Sequence, residues 1–190
     1  MARPPKKPPP YPTDSLLHEA ALSHLARYAA TRAGLLRVLD RKVMRWAASE
    51  AGDPDQAATA RAAARQVVER LTASGAVSDK AFAEARSRSL SRAGKSARAI
   101  GAHLSSRGVG AELARQSVVV DADRELAAAC IHVRRKRLGD FRAAETAPDQ
   151  HRRDLASLAR AGFSHGVAKQ ALHLTRDEAE ALITQFRDAL

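Results

Sequence analysis

Leu104-Ser105-Ser106-Arg107-Gly108-Val109-Gly110-Ala111-Glu112-Leu113 is answered 54 residues later by Leu158-Ala159-Arg160-Ala161-Gly162-Phe163-Ser164-His165-Gly166-Val167. In each copy a leucine on a helical pattern precedes a glycine, one apolar residue follows, and a new helical pattern begins. Glycine suits the left-handed residue that ends a helix, and the apolar residue after it supplies the hydrophobic contact. Gln116 with Gln170 and Val118 with Leu172 keep the same offset. The pattern predicts an internal repeat of helix, glycine turn and helix. Units this small bury too little alone and stack on neighbours.

Working outward, the remaining segments also read as helices. Thr13 or Asp14 can cap a helix carrying Leu16, Leu17, Ala20, Ala21, Leu25 and Tyr28. A second run, Leu35–Trp46, places Leu36, Leu39, Val43 and Trp46 on one side, and a third, Gln56–Thr72, follows the Gly52-Asp53-Pro54 break and ends at Gly75. Ser78-Asp79 caps the next, which stops at Gly94, and Ser96 caps the one after, with Ile100 and Leu104 inward. A short run Ala111–Val120 precedes a longer helix from Asp121 to Leu138, then helices near Gln150–Ala161, Ser164–Leu174 and Arg176–Leu190. No segment alternates as a strand does. The expected fold is all-α: three tandem three-helix modules over 13–75, 76–120 and 121–174, in an elongated, curved array, with a C-terminal extra helix over 175–190. Residues 1–12 hold six prolines and three basic residues and are expected to form a disordered arm.

The chain of 190 residues has a formal charge of +11, which points to polyanionic partners. Between Ala85 and Ala111 there is no acidic residue, while Arg86, Arg88, Arg92, Lys95, Arg98 and Arg107 all fall inside. Arg88 and Arg92 share a helix face and repel each other unless an anion relieves them. A second group is Arg134-Arg135-Lys136-Arg137, joined after a loop by Arg152 and Arg153. These twelve residues are the candidate contacts to nucleic acid or to a nucleoprotein filament. Two bland readings compete: Ala and Arg usage set by a GC-rich genome, or solvated helix faces. Aromatics are scarce and mostly at core-like spacing, so contact is expected to run through phosphates or an acidic protein face rather than base readout.

Signals for chemistry are weak. The seven histidines are scattered, and the one cysteine, Cys130, lies in an apolar run and reads as a buried helix residue. Gly94-Lys95-Ser96 has the end of a phosphate-binding loop without its upstream glycine. No catalytic, cofactor or metal site is expected. No stretch approaches the ~18 apolar residues needed to span a bilayer, and no apolar core follows the basic start, so a cytoplasmic protein is expected.

The run Leu71-Thr72-Ala73-Ser74-Gly75-Ala76-Val77-Ser78-Asp79-Lys80-Ala81-Phe82-Ala83 resembles the RecX family in its leucine, helix-ending glycine, aspartate cap and Phe-Ala pair. The likeness continues through Arg88, Gly94, Ile100, Leu104, Arg107, Gly108 and Val109. It resumes at Leu158, Arg160, Gly162, Phe163, Ser164 and Val167, and covers about residues 15–174. The chain departs from the family pattern at Ala76, where an aromatic is usual, at Arg86, where a bulky side chain is common, and at Ser96-Ala97 in place of Gly-Pro. The resemblance implies a monomeric non-enzyme without cofactor. It would bind the RecA filament on single-stranded DNA, lie in its groove, and inhibit ATP hydrolysis, filament growth and strand exchange. The basic groups would face DNA, single- or double-stranded, or acidic RecA surfaces. Alternatives are a generic basic helical DNA-binding regulator with Ala97–Arg107 in a major groove, and a scaffold whose charge is only compositional.

Overall fold

The structure, a computed structural model, describes residues 8–118, 121–143 and 149–188. Within them the chain forms ten α-helices and no strand: α1 Asp14–Leu25, α2 Arg32–Ala47, α3 Pro54–Ala73, α4 Asp79–Arg92, α5 Ala97–Ser106, α6 Ala111–Ser117, α7 Ala122–Lys136, α8 Gln150–Arg160, α9 His165–His173 and α10 Arg176–Asp188. A single 3-10 turn, Gly139–Phe141, follows α7. The helices pack as two compact units, Met1–Phe82 and Ala83–Leu190, the division falling inside α4.

In the first unit Thr13, Thr31 and Asp53 accept the free N–H groups at the starts of α1, α2 and α3 through their side chains. α3 turns Ala57, Ala60, Ala64, Val67 and Leu71 inward, and the small alanines let α1 and α2 approach closely through Leu17, Leu35, Leu39 and Val43. Pro12 is fully buried and the Tyr11 ring lies edge-on to Trp46 at 5.0 Å, so packed chain begins at Tyr11, inside the segment expected as a free arm. Residues 1–7 lie outside the described residues. Asp79, expected to cap α4, accepts the Arg32 N–H at the start of α2 at 2.8 Å, while Ser78 caps α4. α1 ends at Leu25, earlier than the apolar spacing suggests, and Tyr28 stands outside it, 58% exposed.

In the second unit α7 is the centre. Seven consecutive residues, Ala127 to Val133, are buried, because neighbouring helices cover it on several sides. One is Cys130, whose thiol burial pushes up to about 11. α10 is more than an appendage: Ala179, Ile183 and Phe186 join the core around α7. The 54-residue repeat appears as two matching helix ends. Gly108 and Gly162 have φ of 88° and 92°. Val109 N–H donates to the Leu104 carbonyl and Phe163 N–H to the Leu158 carbonyl, each at 3.1 Å, and both leucines are fully buried. This is the double-bonded glycine termination that satisfies the last carbonyls of a helix. At one inward position charge replaces an apolar side chain: Ile100 is answered by a buried carboxylate, Asp154.

Candidate nucleic-acid interface

α4 terminates as the repeat helices do. Gly94 has φ 70°, and Lys95 N–H donates to the Leu90 carbonyl at 3.1 Å. A Cβ on Gly94 would lie 2.5 Å from Ile131 Cγ2, so this turn is pressed onto α7. The contact brings two sequence-distant basic groups together. Arg135 on α7 donates to the Ala93 carbonyl at 3.3 Å and lies 3.5 Å from His132 Nδ1. His132 is buried between Ser157, 3.4 Å from its Nε2, and the Phe163 ring, edge-on at 5.9 Å. Burial first, then the positive charges of Arg135, Lys136 and Lys95, hold its pKa below the ordinary value. Lys95 from the α4–α5 turn and Arg135 and Lys136 from the end of α7 therefore converge on one patch. No carboxylate among the described residues bonds any of the three side chains.

The start of α5 fixes this turn. Ser96 is buried, with its Oγ accepting from Ala99 N–H at 3.2 Å and donating to the Ala161 carbonyl at 2.7 Å. Ala97 N–H donates to Glu125 at 3.0 Å. The stretch free of acids in sequence thus receives one carboxylate from α7.

The other candidates fall into three situations. Arg88, Arg92 and Arg98 are exposed, and their side chains make no hydrogen bond or ion pair with a described residue; Lys136, Arg137 and Arg153 are likewise exposed and unpaired. Arg86 donates to His103 Nε2 at 3.1 Å, and burial together with Arg86 and Arg107 lowers the His103 pKa. Arg134 pairs with Glu180 at 2.7 Å and Arg152 with Asp149 at 3.4 Å, so both are already partly neutralised. His132, His103 and Glu125 escaped the sequence reading. His132 carried one usable signal, a histidine inside the apolar run of α7, separated by Val133 alone from four basic residues.

A pH dependence follows. The folded pKa of His132 lies below the ordinary 6.5, so its stabilising contribution is present above that value and is lost as pH falls through it. Urea denaturation from about pH 7.5 to about 5.5 should show wild type losing stability, and His132→Gln losing less over the same interval. His103, shifted the same way, accounts for a residual slope. Equal slopes in both proteins would show that neither burial nor the patch keeps His132 neutral.

Among the described residues no group of His, Cys, Asp or Glu is placed to hold a metal ion, and no helix is long and apolar enough to cross a membrane.

The chain is similar to known proteins in sequence and in fold. The profile of the RecX second three-helix domain matches residues 78–118, which hold α4, α5 and α6. Regulatory protein RecX of Myxococcus xanthus is 41% identical over 174 residues, 90% of this chain and 88% of that protein. Regulatory protein RecX of Agrobacterium fabrum is 30% identical over 111 residues, 57% of this chain and 58% of its own. The crystal structure of RecX from Lactobacillus salivarius superposes with a TM-score of 0.57 at 17% identity, covering 93% of this chain and 97% of that one.

Proposed function

The chain belongs to the RecX family of regulatory proteins, and on that ground we propose that it binds the RecA filament on single-stranded DNA and inhibits its ATPase, growth and strand exchange. The observation that carries this is the 41% identity across 90% of the chain. It works in the cytoplasm, without catalysis or cofactor, as a monomer. The convergent patch of Lys95, Arg135 and Lys136, with the unpaired Arg88 and Arg92 on α4, supports a polyanion face suited to strand phosphates or acidic filament surfaces.

The alternative of α5 as a major-groove helix is less well supported. Such a helix reads bases from its first turn. Here the start of that turn is engaged within the fold, Ser96 with the Ala161 carbonyl and the Ala97 N–H with Glu125, which leaves Arg98 as its exposed residue. The test is RecA's ATPase on single-stranded DNA, titrated with this protein.

A further inference from the structure

Tyr28 is out of keeping with the other aromatics of this fold. Trp46, Phe141, Phe163 and Phe186 are buried, whereas Tyr28 is 58% exposed in the α1–α2 connection. Its orientation is nonetheless set. Its N–H donates to the His24 carbonyl at 2.9 Å, and the His24 ring lies 5.3 Å away, tilted by 39°. The Arg27 guanidinium sits 5.9 Å from the Tyr28 centroid, held by its own bond to the Ser23 carbonyl at 3.1 Å.

The surroundings are cationic. No acidic residue occurs from Ala20 to Leu39, where His24, Arg27, Arg32 and Arg37 lie. Asp79 reaches this connection, accepting the Arg32 N–H at 2.8 Å. α2 then carries Arg37, Arg41 and Arg45 on the side opposite the buried Leu35, Leu39 and Val43. An exposed ring fixed beside a guanidinium, at the head of a basic helix face, is the pairing by which single strands are held: bases stack on the ring and phosphates follow the cations.

We propose that Tyr28, flanked by His24 and Arg27, is a stacking platform for a base of single-stranded nucleic acid, the flanking phosphates running toward Arg32 and the Arg41–Arg45 face of α2. This rests on the reading that the chain works on single strands, and it adds a base contact to contacts otherwise limited to phosphates.

The test uses the full chain carrying Tyr28→Trp, in which buried Trp46 gives a constant background. Oligothymidylate should quench the introduced indole, and an abasic strand of equal length should not. Tyr28→Ala should lose about tenfold in affinity for oligothymidylate and nothing for the abasic strand, while Tyr28→Phe stays near wild type. Equal quenching by both strands, or unchanged affinity in Tyr28→Ala, would overturn the platform. So would a Tyr28→Ala protein that binds filaments poorly but free oligothymidylate normally, since Tyr28 would then be a protein contact. Failure of the platform while wild type still slows RecA's ATPase leaves the filament reading intact; base stacking with an unchanged ATPase overturns that reading alone.

Discussion

Protein in which Arg88, Arg92 and Lys95 are changed together to alanine is expected to bind RecA–single-strand filaments more weakly, with a log–log salt slope shallower by about two. Each single-strand phosphate contact contributes ~0.7 to that slope, so three lost contacts account for it. All three side chains are exposed and unpaired among the described residues, and they flank the Gly94 turn where α4 meets α7. Folding should survive, because exposed substitutions of this kind change stability by roughly 0.5 kcal/mol or less. Relief of the Arg88–Arg92 repulsion works in the stabilising direction. Arg61, Arg65 and Arg187, exposed on α3 and α10, serve as the control triple. Binding and slope equal to wild type in the first variant, with melting unchanged in both, would mean that this face is only solvated.

Asp154→Ala is expected to cost about 3–5 kcal/mol, the loss typical of breaking one partner out of a buried ion pair. Asp154 receives two bonds from Arg142 at 2.8 Å, one from Gln150 at 2.8 Å and one from the Gly139 N–H at 3.1 Å. The aspartate side chain is 5% exposed and the arginine 23%. Burial raises the Asp154 pKa, but the bonds from Gly139, Gln150 and Arg142 outweigh it and the net shift is downward. Removing the carboxylate leaves the Arg142 guanidinium without its counter-charge and frees the turn that follows α7. Asp154→Asn, which keeps the shape and some of the bonds, should lose less. Urea midpoints check both, and a loss under about 1 kcal/mol for alanine would place the pair among ordinary surface bridges.

What could be read from the residues was local. Ser96 as a cap, Gly108 and Gly162 as left-handed terminators, and Leu104 as an inward leucine with Leu158 as its counterpart all depend on neighbours within one turn. What could not be read depends on distant partners. Asp79 serves α2, 47 residues away, and Glu125 reaches the start of α5 across 28. Beside His151, Arg152 and Arg153, Asp154 looks like one more surface charge, yet it fills a core position that the repeat assigns to an apolar side chain.

The end of α7 shows the same limit from another side. Arg137 takes the left-handed position at φ 53° that glycine fills after α3, α4, α5 and α8, so no glycine at that position announced the stop. The basic runs also overstate the free charge, because Arg134 pairs with Glu180, 46 residues away, and Arg152 pairs with Asp149 three residues before it. Conversely, the convergence of Lys95 with Arg135 and Lys136 exists only because Gly94 allows α4 to close against Ile131.

The most direct measurement is RecA's ATP hydrolysis on single-stranded DNA as this protein is added, with the cognate recombinase and at low salt. Substoichiometric protein is expected to slow the rate, and the Arg88, Arg92 and Lys95 triple variant to slow it less than wild type at equal concentration. A rate unchanged by excess wild-type protein under those conditions would contradict regulation of the filament by this chain.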